Sequence, residues 1–206
     1  MKVILVNGSP HKEGCTYTAL SEAAKALNSN GIETEIFHLG TEPVAGCIAC
    51  GACSKTGKCI YNDPVNEFVE KAKDADGFIF GSPVYYSGMS GQLCSFMDRA
   101  FYSGGKYMAG KPAAAVVSCR RGGATATFEQ INKYFMITNM PVVSSQYWNQ
   151  VHGNTPDEVK QDLEGLQTMR TLGANMAWLL KCIGAGKKAG IEMPERETPI
   201  KTNFIR

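Results

Sequence analysis

Four cysteines lie close together in the stretch GCIACGACSKTGKC, with the spacing C-x2-C-x2-C-x5-C. They are Cys47, Cys50, Cys53 and Cys59. Thiolates bind soft metal ions, and the glycines between them permit the tight turns that let one short loop surround one metal centre. The spacing therefore predicts a site whose chemistry is metal binding or thiol redox.

Three interpretations of this motif stay open. Closely repeated C-x2-C pairs are typical of iron-sulfur ligation, and Cys59 is near enough to complete a [4Fe-4S] set with the first three cysteines. Structural zinc sites instead pair two C-x2-C units across a longer insert. The third interpretation is a loop of free thiols or an adventitious disulfide, because Lys55 and Lys58 promote thiolate formation only modestly.

A second polar segment, Gly8–Thr16, reads GSPHKEGCT and follows the first apolar run. Free amides at a helix start, together with hydroxyl and cationic side chains, suit a phosphate group. The segment matches neither G-x-G-x-x-G nor G-x-x-x-x-G-K-[ST], so a phosphate monoester fits better than a dinucleotide, against the alternative of an ordinary helix cap. The candidate phosphate-binding residues are Ser9, His11, Lys12, Cys15 and Thr16.

Two more loops, each following an apolar run, carry side chains with unusual chemistry. In SPVYYSG, an aromatic pair among small residues offers a flat surface and accessible amides to a planar heterocycle, although the tyrosines could simply cap the sheet. In SCRRGG, two arginines and two glycines offer cationic and backbone donors. We expect Cys119, within that segment, to be a buried core thiol.

Alternating strands and helices must position these loops. Short β-branched or apolar runs predict strands, and apolar residues at helical spacing predict helices. The predicted strands are 2–6, 32–39, 77–81, 113–118 and 141–144. The predicted helices are 16–27, 64–73, 90–102, 127–135 and 156–183, the last with Thr155 as its N-cap. This alternation predicts an α/β fold with a parallel sheet, whose ligands bind beyond the carboxyl ends of the strands.

Composition excludes several classes of function. The chain has 206 residues, 44% of them hydrophobic and 19% charged, which suits one well-cored domain. Its net charge of +2 is too small to argue for a nucleic-acid or membrane partner. No apolar run approaches the roughly 20 residues of a membrane span, and MKVILVNGSP does not read as a signal peptide. Eight cysteines without such a signal predict a cytoplasmic location.

Several of these segments resemble a known family. The run NGSPHKEGCT is similar to the phosphate loop of flavodoxin-like NAD(P)H-dependent FMN reductases, with His11 and Cys15 where arginine and asparagine are usual. SPVY, followed further along by Asp98-Arg99, is similar to their flavin-ring segment. The cysteine motif, between the second strand and the second helix, is similar to that of iron-sulfur flavoproteins, a branch of the same group.

The resemblance implies a flavodoxin-like, doubly wound sheet of five parallel strands in the order 2-1-3-4-5, with helices on both faces. Residues 1–206 would form a single FMN-binding domain, with a cysteine-rich loop at 46–62 and a C-terminal helix and tail at 155–206. Its implied ring-binding residues are Pro83, Val84, Tyr85, Tyr86, Ser87, Gly88, Arg120, Arg121, Gly122 and Gly123. Asp98 and Arg99 would buttress a helix or an interface. The residues Tyr147, Trp148 and His152 either border the pocket or pack under the last helix.

We therefore expect an FMN-dependent electron-transfer oxidoreductase that relays electrons between FMN and a [4Fe-4S] cluster on the Cys47–Cys59 loop. A second hypothesis is an NAD(P)H-dependent FMN or quinone reductase without a cluster. A third is a non-catalytic FMN-binding electron carrier, which the +2 charge disfavours because carrier flavodoxins tend to be strongly acidic. The expected partners are a second copy of the chain, as homodimer or homotetramer, and a ferredoxin-like electron donor.

Overall fold

Five parallel strands form the central sheet of the computed structural model, which describes residues 1–198, 200–202 and 204. The strands are β1 (Lys2–Asn7), β2 (Glu33–His38), β3 (Gly77–Tyr85), β4 (Gly88–Met89), β5 (Ala113–Cys119) and β6 (Gln150–His152). The parallel strands lie in the order β2-β1-β3-β5-β6, and β4 pairs antiparallel with β3. The predicted doubly wound order is confirmed, with β4 as an additional short strand.

Helices cover both faces of this sheet. They are α1 (Cys15–Ser29), α2 (Ala52–Thr56), α3 (Pro64–Asp74), α4 (Gly91–Met108), α5 (Ala124–Ile137), α6 (Pro156–Gln161) and α7 (Leu163–Lys188). Successive side chains of a strand point to opposite faces, so Leu5 packs with the α1 and α7 residues while Ile4 packs with those of α3, α4 and α5. Each face of the sheet therefore has its own apolar core.

Aromatic packing fixes α3 to the sheet. The ring of Phe68 lies 5.1 to 5.9 Å, between centroids, from four other rings. Its partners are Phe37, Phe78, Phe80 and Phe96, all of them buried. Edge-to-face contacts at such distances add to the stabilisation from burial. Because α3 directly follows the cysteine-rich segment, this packing gives that segment a firmly held end.

The prediction of a strand at 141–144 is wrong. Only Val142 pairs with the sheet there, through an isolated bridge to Ala113, and the regular strand β6 lies further along the chain. The segment leaves the sheet because the hydroxyl of Ser145 hydrogen-bonds to the backbone of Tyr147, closing a local turn that competes with strand pairing. The chain rejoins β5 where Asn149 accepts from the amide of Val117.

The predicted C-terminal helix is divided at Asp162. Thr155 caps α6 as expected, accepting from the amide of Glu158 at 3.2 Å. The carboxylate of Asp162 then accepts from Gly165 N at 2.9 Å and caps α7, which continues to Lys188, beyond the predicted end. Within the described residues, no helix has the length and apolar character needed to span a membrane.

Candidate functional site

The segment Gly8–Thr16, here called the phosphate loop, is held closed by a buried side chain. Asn7 ends β1 and is fully buried; its Nδ2 donates to Lys12 O at 3.1 Å and its Oδ1 accepts from Ser9 N at 3.1 Å. The hydroxyl of Ser9 accepts from His11 N at 3.1 Å. No side chain caps the start of α1 at Gly14, so the amides of its first turn are free to bind an anion.

The other predicted phosphate-binding residues divide into two groups. The side chains of His11 and Lys12 are exposed, so they are free to turn toward a phosphate. Thr16 is buried and shares a 2.8 Å hydrogen bond with the hydroxyl of Ser118 at the end of β5. The thiol of Cys15 faces Gly153 O at 3.8 Å, and partial burial raises its pKa above the ordinary value. Thr16 and Cys15 thus tie the phosphate loop to neighbouring segments.

The tyrosine-containing loop forms a strained hairpin between β3 and β4, here called the flavin hairpin (Tyr85–Gly88). Tyr86 and Ser87 both have left-handed backbones, with φ of 50° and 59°. Such angles at two central residues give a turn of the I′ kind, which usually contains glycine, and each costs about 1–3 kcal/mol in a larger residue. Gln130 of α5 supports the hairpin by accepting from Met89 N at 3.0 Å. The strained turn leaves the Tyr86 ring fully exposed.

The segment Arg120–Gly123, here called the arginine loop, contacts this hairpin closely. Gly123 has a φ of 89°, and a Cβ built on it would lie 2.8 Å from Ser87 Oγ and 2.9 Å from Val84 Cγ1. The side chains of Arg120 and Arg121 are exposed beside it. The two loops predicted to hold a flavin ring therefore meet, and glycine is required at the contact.

Hydrogen bonds also join the residues on either side of the flavin hairpin to the phosphate loop. Ser90 is the N-cap of α4; its hydroxyl donates to Gly8 O at 2.7 Å, and its amide donates to Ser82 Oγ at 3.0 Å. Gly8 N in turn donates to Gly81 O at 2.9 Å. The predicted phosphate and ring segments thus lie together at the carboxyl edge of the sheet, the usual ligand position in this architecture.

The cysteine loop, residues 46–62, follows β2 and leads into α3. Positive φ angles of 53° at Ala49, 69° at Gly51 and 73° at Gly57 bend it repeatedly, and the short helix α2 lies between these two glycines. All four cysteines line one concavity that opens to solvent. Its other lining side chains are mainly apolar or aromatic, together with one arginine; they include Ile48, Ile60, Tyr61, Arg99 and Tyr102.

The four thiols line this concavity but do not converge on one position. Among the described residues, no three histidine, cysteine or acidic side chains are gathered tightly enough to hold one metal ion. A structural zinc site and an iron-sulfur centre would both need the four thiols to converge, so this arrangement does not distinguish the two. The donor set is nevertheless four thiols in an apolar surround, which is the ligand chemistry of an iron-sulfur centre.

Comparison with known proteins identifies the family. Residues 1–155 match the model of the NADPH-dependent FMN reductase family. The chain belongs to this family. An iron-sulfur flavoprotein of Methanocaldococcus jannaschii is 40% identical over 194 residues, which cover 89% of this chain and 99% of that protein. Another, from Methanosarcina thermophila, is 30% identical over 187 residues, covering 89% and 97%. Within the family, the chain belongs to the iron-sulfur flavoprotein branch and is a flavin-dependent oxidoreductase.

Solved structures agree on the fold. RosB, in a crystal structure with bound 8-demethyl-8-formylriboflavin-5'-phosphate, has a TM-score of 0.72 at 15% identity, covering 100% of this chain and 92% of that one. A flavodoxin from the domain Archaea has a TM-score of 0.60 at 17% identity, covering 88% and 99%. At such identities the likeness shows a flavodoxin-like fold and nothing about ligands.

Two residues of the FMN reductase fold were missed at the sequence level. The His38 ring donates from Nε2 to Ser9 O at 3.0 Å, so β2 as well as β1 holds the phosphate loop. Asn7 and His38 are register partners, each the last residue of its strand. A polar side chain ending a buried strand at the carboxyl edge is the one signal that could have singled them out.

The remaining predicted residues lie in several parts of the fold. Tyr147 and Trp148 stack edge to face at 4.7 Å and are half exposed, while the amide of His152 donates to Asp162 at the start of α7. Both alternatives for these residues stay predictions. Cys119 is buried, as predicted, and burial raises the pKa of its thiol. Asp98 is exposed and accepts from the Tyr134 hydroxyl at 2.5 Å.

Proposed function

We propose that this chain relays electrons between FMN, bound at the carboxyl edge of the sheet, and a [4Fe-4S] cluster held by Cys47, Cys50, Cys53 and Cys59. The observation that carries the proposal is that all four thiols line one concavity of the cysteine loop. The names of the curated relatives, iron-sulfur flavoproteins at 40% and 30% identity, support it independently.

The residues present fit FMN. The free amides of the first turn of α1, with the Ser9 hydroxyl and the side chains of His11 and Lys12, would bind the phosphate. The flavin hairpin would face the ring, and Arg120 and Arg121 would supply cationic donors that favour its reduced, more negative form. When bound, FMN supplies both one-electron and two-electron chemistry, which lets it exchange electrons with a one-electron centre.

The proposal includes partners and location. The flavin hairpin presents a fully exposed Tyr86 ring, and covering it with a second subunit would give the homodimer or homotetramer expected from the family resemblance. We propose NAD(P)H or a ferredoxin-like protein as electron donor. All eight cysteines are unpaired, which suits the reducing conditions of a cytoplasm.

An anaerobic preparation tests the cluster directly. Iron, sulfide and FMN are quantified per chain after anaerobic purification and reconstitution. We expect Cys53→Ala to lose iron while keeping FMN, because the thiol lies in the cysteine loop and outside the flavin hairpin. Cys182→Ala is the matched control: Cys182 is exposed on α7, so this variant should keep both cofactors. A parent protein that binds FMN but takes up no iron would refute the relay.

A second candidate is a reductase without a cluster. The lack of convergence among the four thiols favours it, as does the match to a family described by NADPH and FMN. Stopped-flow mixing with NADPH distinguishes the two. Rapid bleaching of the flavin in Cys53→Ala, at the rate of the parent, would show that hydride reaches the flavin directly and would favour this candidate.

A further inference from the structure

A buried arginine reaches the cysteine loop from α4. Arg99 has only 2% of its surface exposed, and it lines the same concavity as the four cysteines. Its Nε and Nη2 each donate to Cys59 Sγ at 3.2 Å, and its Nη1 donates to Ala45 O at 3.1 Å. A buried guanidinium aimed at one sulfur with two of its N–H groups is a specific arrangement, because a buried charge is costly unless it is paired.

The remaining donors of Arg99 bind a carboxylate. Nη1 and Nη2 donate to the two oxygens of Asp63 at 2.5 Å and 3.0 Å, and the Tyr61 ring stacks 4.7 Å from the guanidinium carbon. All five N–H groups are thus used. An arginine guanidinium stays protonated in proteins, so the positive charge beside Cys59 is permanent.

Cys59 is also fixed through its backbone. Asn66 of α3 accepts from Cys59 N at 2.9 Å and donates to Cys59 O at 2.9 Å. By contrast, Cys47 and Cys50 are exposed. Asp63 in turn caps α3 by accepting from Val65 N. One of the four thiols is therefore positioned by two helices before any metal centre is bound.

We propose that Arg99 is a positioning residue that holds Cys59 as the fixed ligand of the metal centre and raises the reduction potential of that centre. This inference rests on the proposed function. Hydrogen bonds to a ligating sulfur draw electron density from the cluster and so stabilise its reduced state, which carries one more negative charge. Asp63 keeps the guanidinium oriented. It also limits the rise in reduction potential, because its negative charge opposes the positive charge of Arg99.

The midpoint potential of the reconstituted protein tests the inference. Arg99→Lys keeps the charge but has no planar fork to donate two hydrogen bonds to one sulfur. We expect it to take up iron and to show a lower cluster potential, measured by titration followed by electron paramagnetic resonance. Lys58→Gln is the matched control: it removes an exposed positive charge one residue before Cys59 and should leave the potential near that of the parent.

Two results would overturn the inference. One is an iron-loaded Arg99→Lys protein with the potential of the parent. The other is a change in midpoint potential in Lys58→Gln as large as that in Arg99→Lys. Such a result would show that net charge, and not the hydrogen bonds of Arg99, sets the potential. A parent that never loads iron refutes the proposed function, and the inference with it; an unchanged potential in loaded Arg99→Lys refutes the inference alone.

A measurement without iron tests the contact itself, and it remains available if Arg99→Lys does not fold. In nitrogen-15 NMR spectra of the iron-free protein, we expect the Arg99 Nε–H resonance to shift in Cys59→Ala, where its acceptor is lost, and to stay in place in Cys50→Ala. A resonance that does not move in Cys59→Ala would show that Arg99 does not hold this sulfur.

Discussion

Gly123 lets the arginine loop contact the flavin hairpin because it has no side chain. Gly123→Ala would place a Cβ 2.8 Å from Ser87 Oγ on a backbone whose φ is 89°. Because both clash and backbone strain oppose the present arrangement, we expect a loss of about 1–3 kcal/mol of unfolding free energy. We also expect weaker FMN binding, since the loops must separate. Urea unfolding and titration of flavin fluorescence measure the two effects.

The neighbouring glycine provides the control for this prediction. A Cβ on Gly122 would meet no heavy atom within 4 Å, and the residue is exposed. Gly122→Ala should therefore keep the stability of the parent. If Gly123→Ala bound FMN as tightly as the parent, contact between the two loops would be irrelevant to flavin binding.

At the residue scale, the sequence predicts the residues that could bind a cofactor better than the residues that hold them in place. The cysteines and the residues of the phosphate loop could be selected because their side chains carry recognisable chemistry at a recognisable spacing. Asn7 and His38 were not selected, because they bond backbone atoms and their one signal is a polar side chain at the end of a strand. The pairing of Arg99 with Cys59 depends on a contact across 40 positions, and no local pattern contains that information.

The helix α4 links the candidate cofactor segments. Near its N-terminus Ser90 donates to the phosphate loop, and further along Arg99 donates to Cys59. Between them, the amide of Gln92 donates to the carbonyls of Gly40 at 3.2 Å and Glu42 at 3.0 Å, where the cysteine loop is about to begin. At a rise of about 1.5 Å per residue, one rigid element of roughly 13 Å spans from phosphate loop to thiol.

Gln92→Ala should loosen the approach to the cysteine loop. Without the amide, the carbonyls of Gly40 and Glu42 lose their side-chain donor, so local opening becomes easier. We expect faster hydrogen exchange in residues 40–46, measured by mass spectrometry, with little change in the sheet. Gln161→Ala, which removes an amide bonded to Asp157 O on the surface, should not alter that segment. Equal protection of residues 40–46 in both variants would contradict this role of α4.

At the element scale, local pattern identifies the regular elements and fails where polar side chains interrupt them. The helices α1, α3, α4 and α5 all lie where the apolar spacing predicted them, with ends that differ by a few residues. The strand predicted at 141–144 fails because Ser145 bends the backbone away from β5. The break at Asp162 was missed because its carboxylate also accepts from His152 N of β6, a tertiary contact.

At the scale of the whole molecule, Glu35 connects β2 to β1 and α3. Its carboxylate lies 2.6 Å from Lys2 Nζ and 2.8 Å from Lys71 Nζ, and hydrogen bonds from Lys2 and then Lys71 lower its pKa. A lowered pKa in the folded state stabilises the protein above the unfolded value, about 4.3 for glutamate, and that stabilisation is lost as the pH falls through the folded value.

Glu35→Gln should therefore be less stable than the parent at pH 7, and the two should converge as the pH falls below about 4.3. Urea unfolding at a series of pH values measures this difference. Glu33→Gln is the control on the same strand: Glu33 is exposed and 3.9 Å from Lys2, so its effect should be smaller. A Glu35→Gln deficit that stays constant down to pH 3 would show that the ion pairs do not cause it.

Exposed aromatic residues suggest how whole molecules assemble. The Tyr86 ring is fully exposed on the flavin hairpin at the carboxyl edge, and Tyr147 and Trp148, which directly precede Asn149 and β6, are half exposed. Aromatic residues are enriched in subunit interfaces, where burial of their large surfaces stabilises the assembly. If a second subunit covers the flavin, as we propose, this edge must lie within the contact.

The two tryptophans of the chain allow a matched test of that assembly. Light scattering should give the parent a mass of two or four chains. Trp148→Arg should shift it toward the monomer, because a charge buried in an interface without a partner is costly. Trp178→Arg makes the same change on the outer face of α7, away from the carboxyl edge, and should leave the mass unchanged. A monomeric parent, or dissociation by Trp178→Arg alone, would place the flavin edge outside any subunit contact.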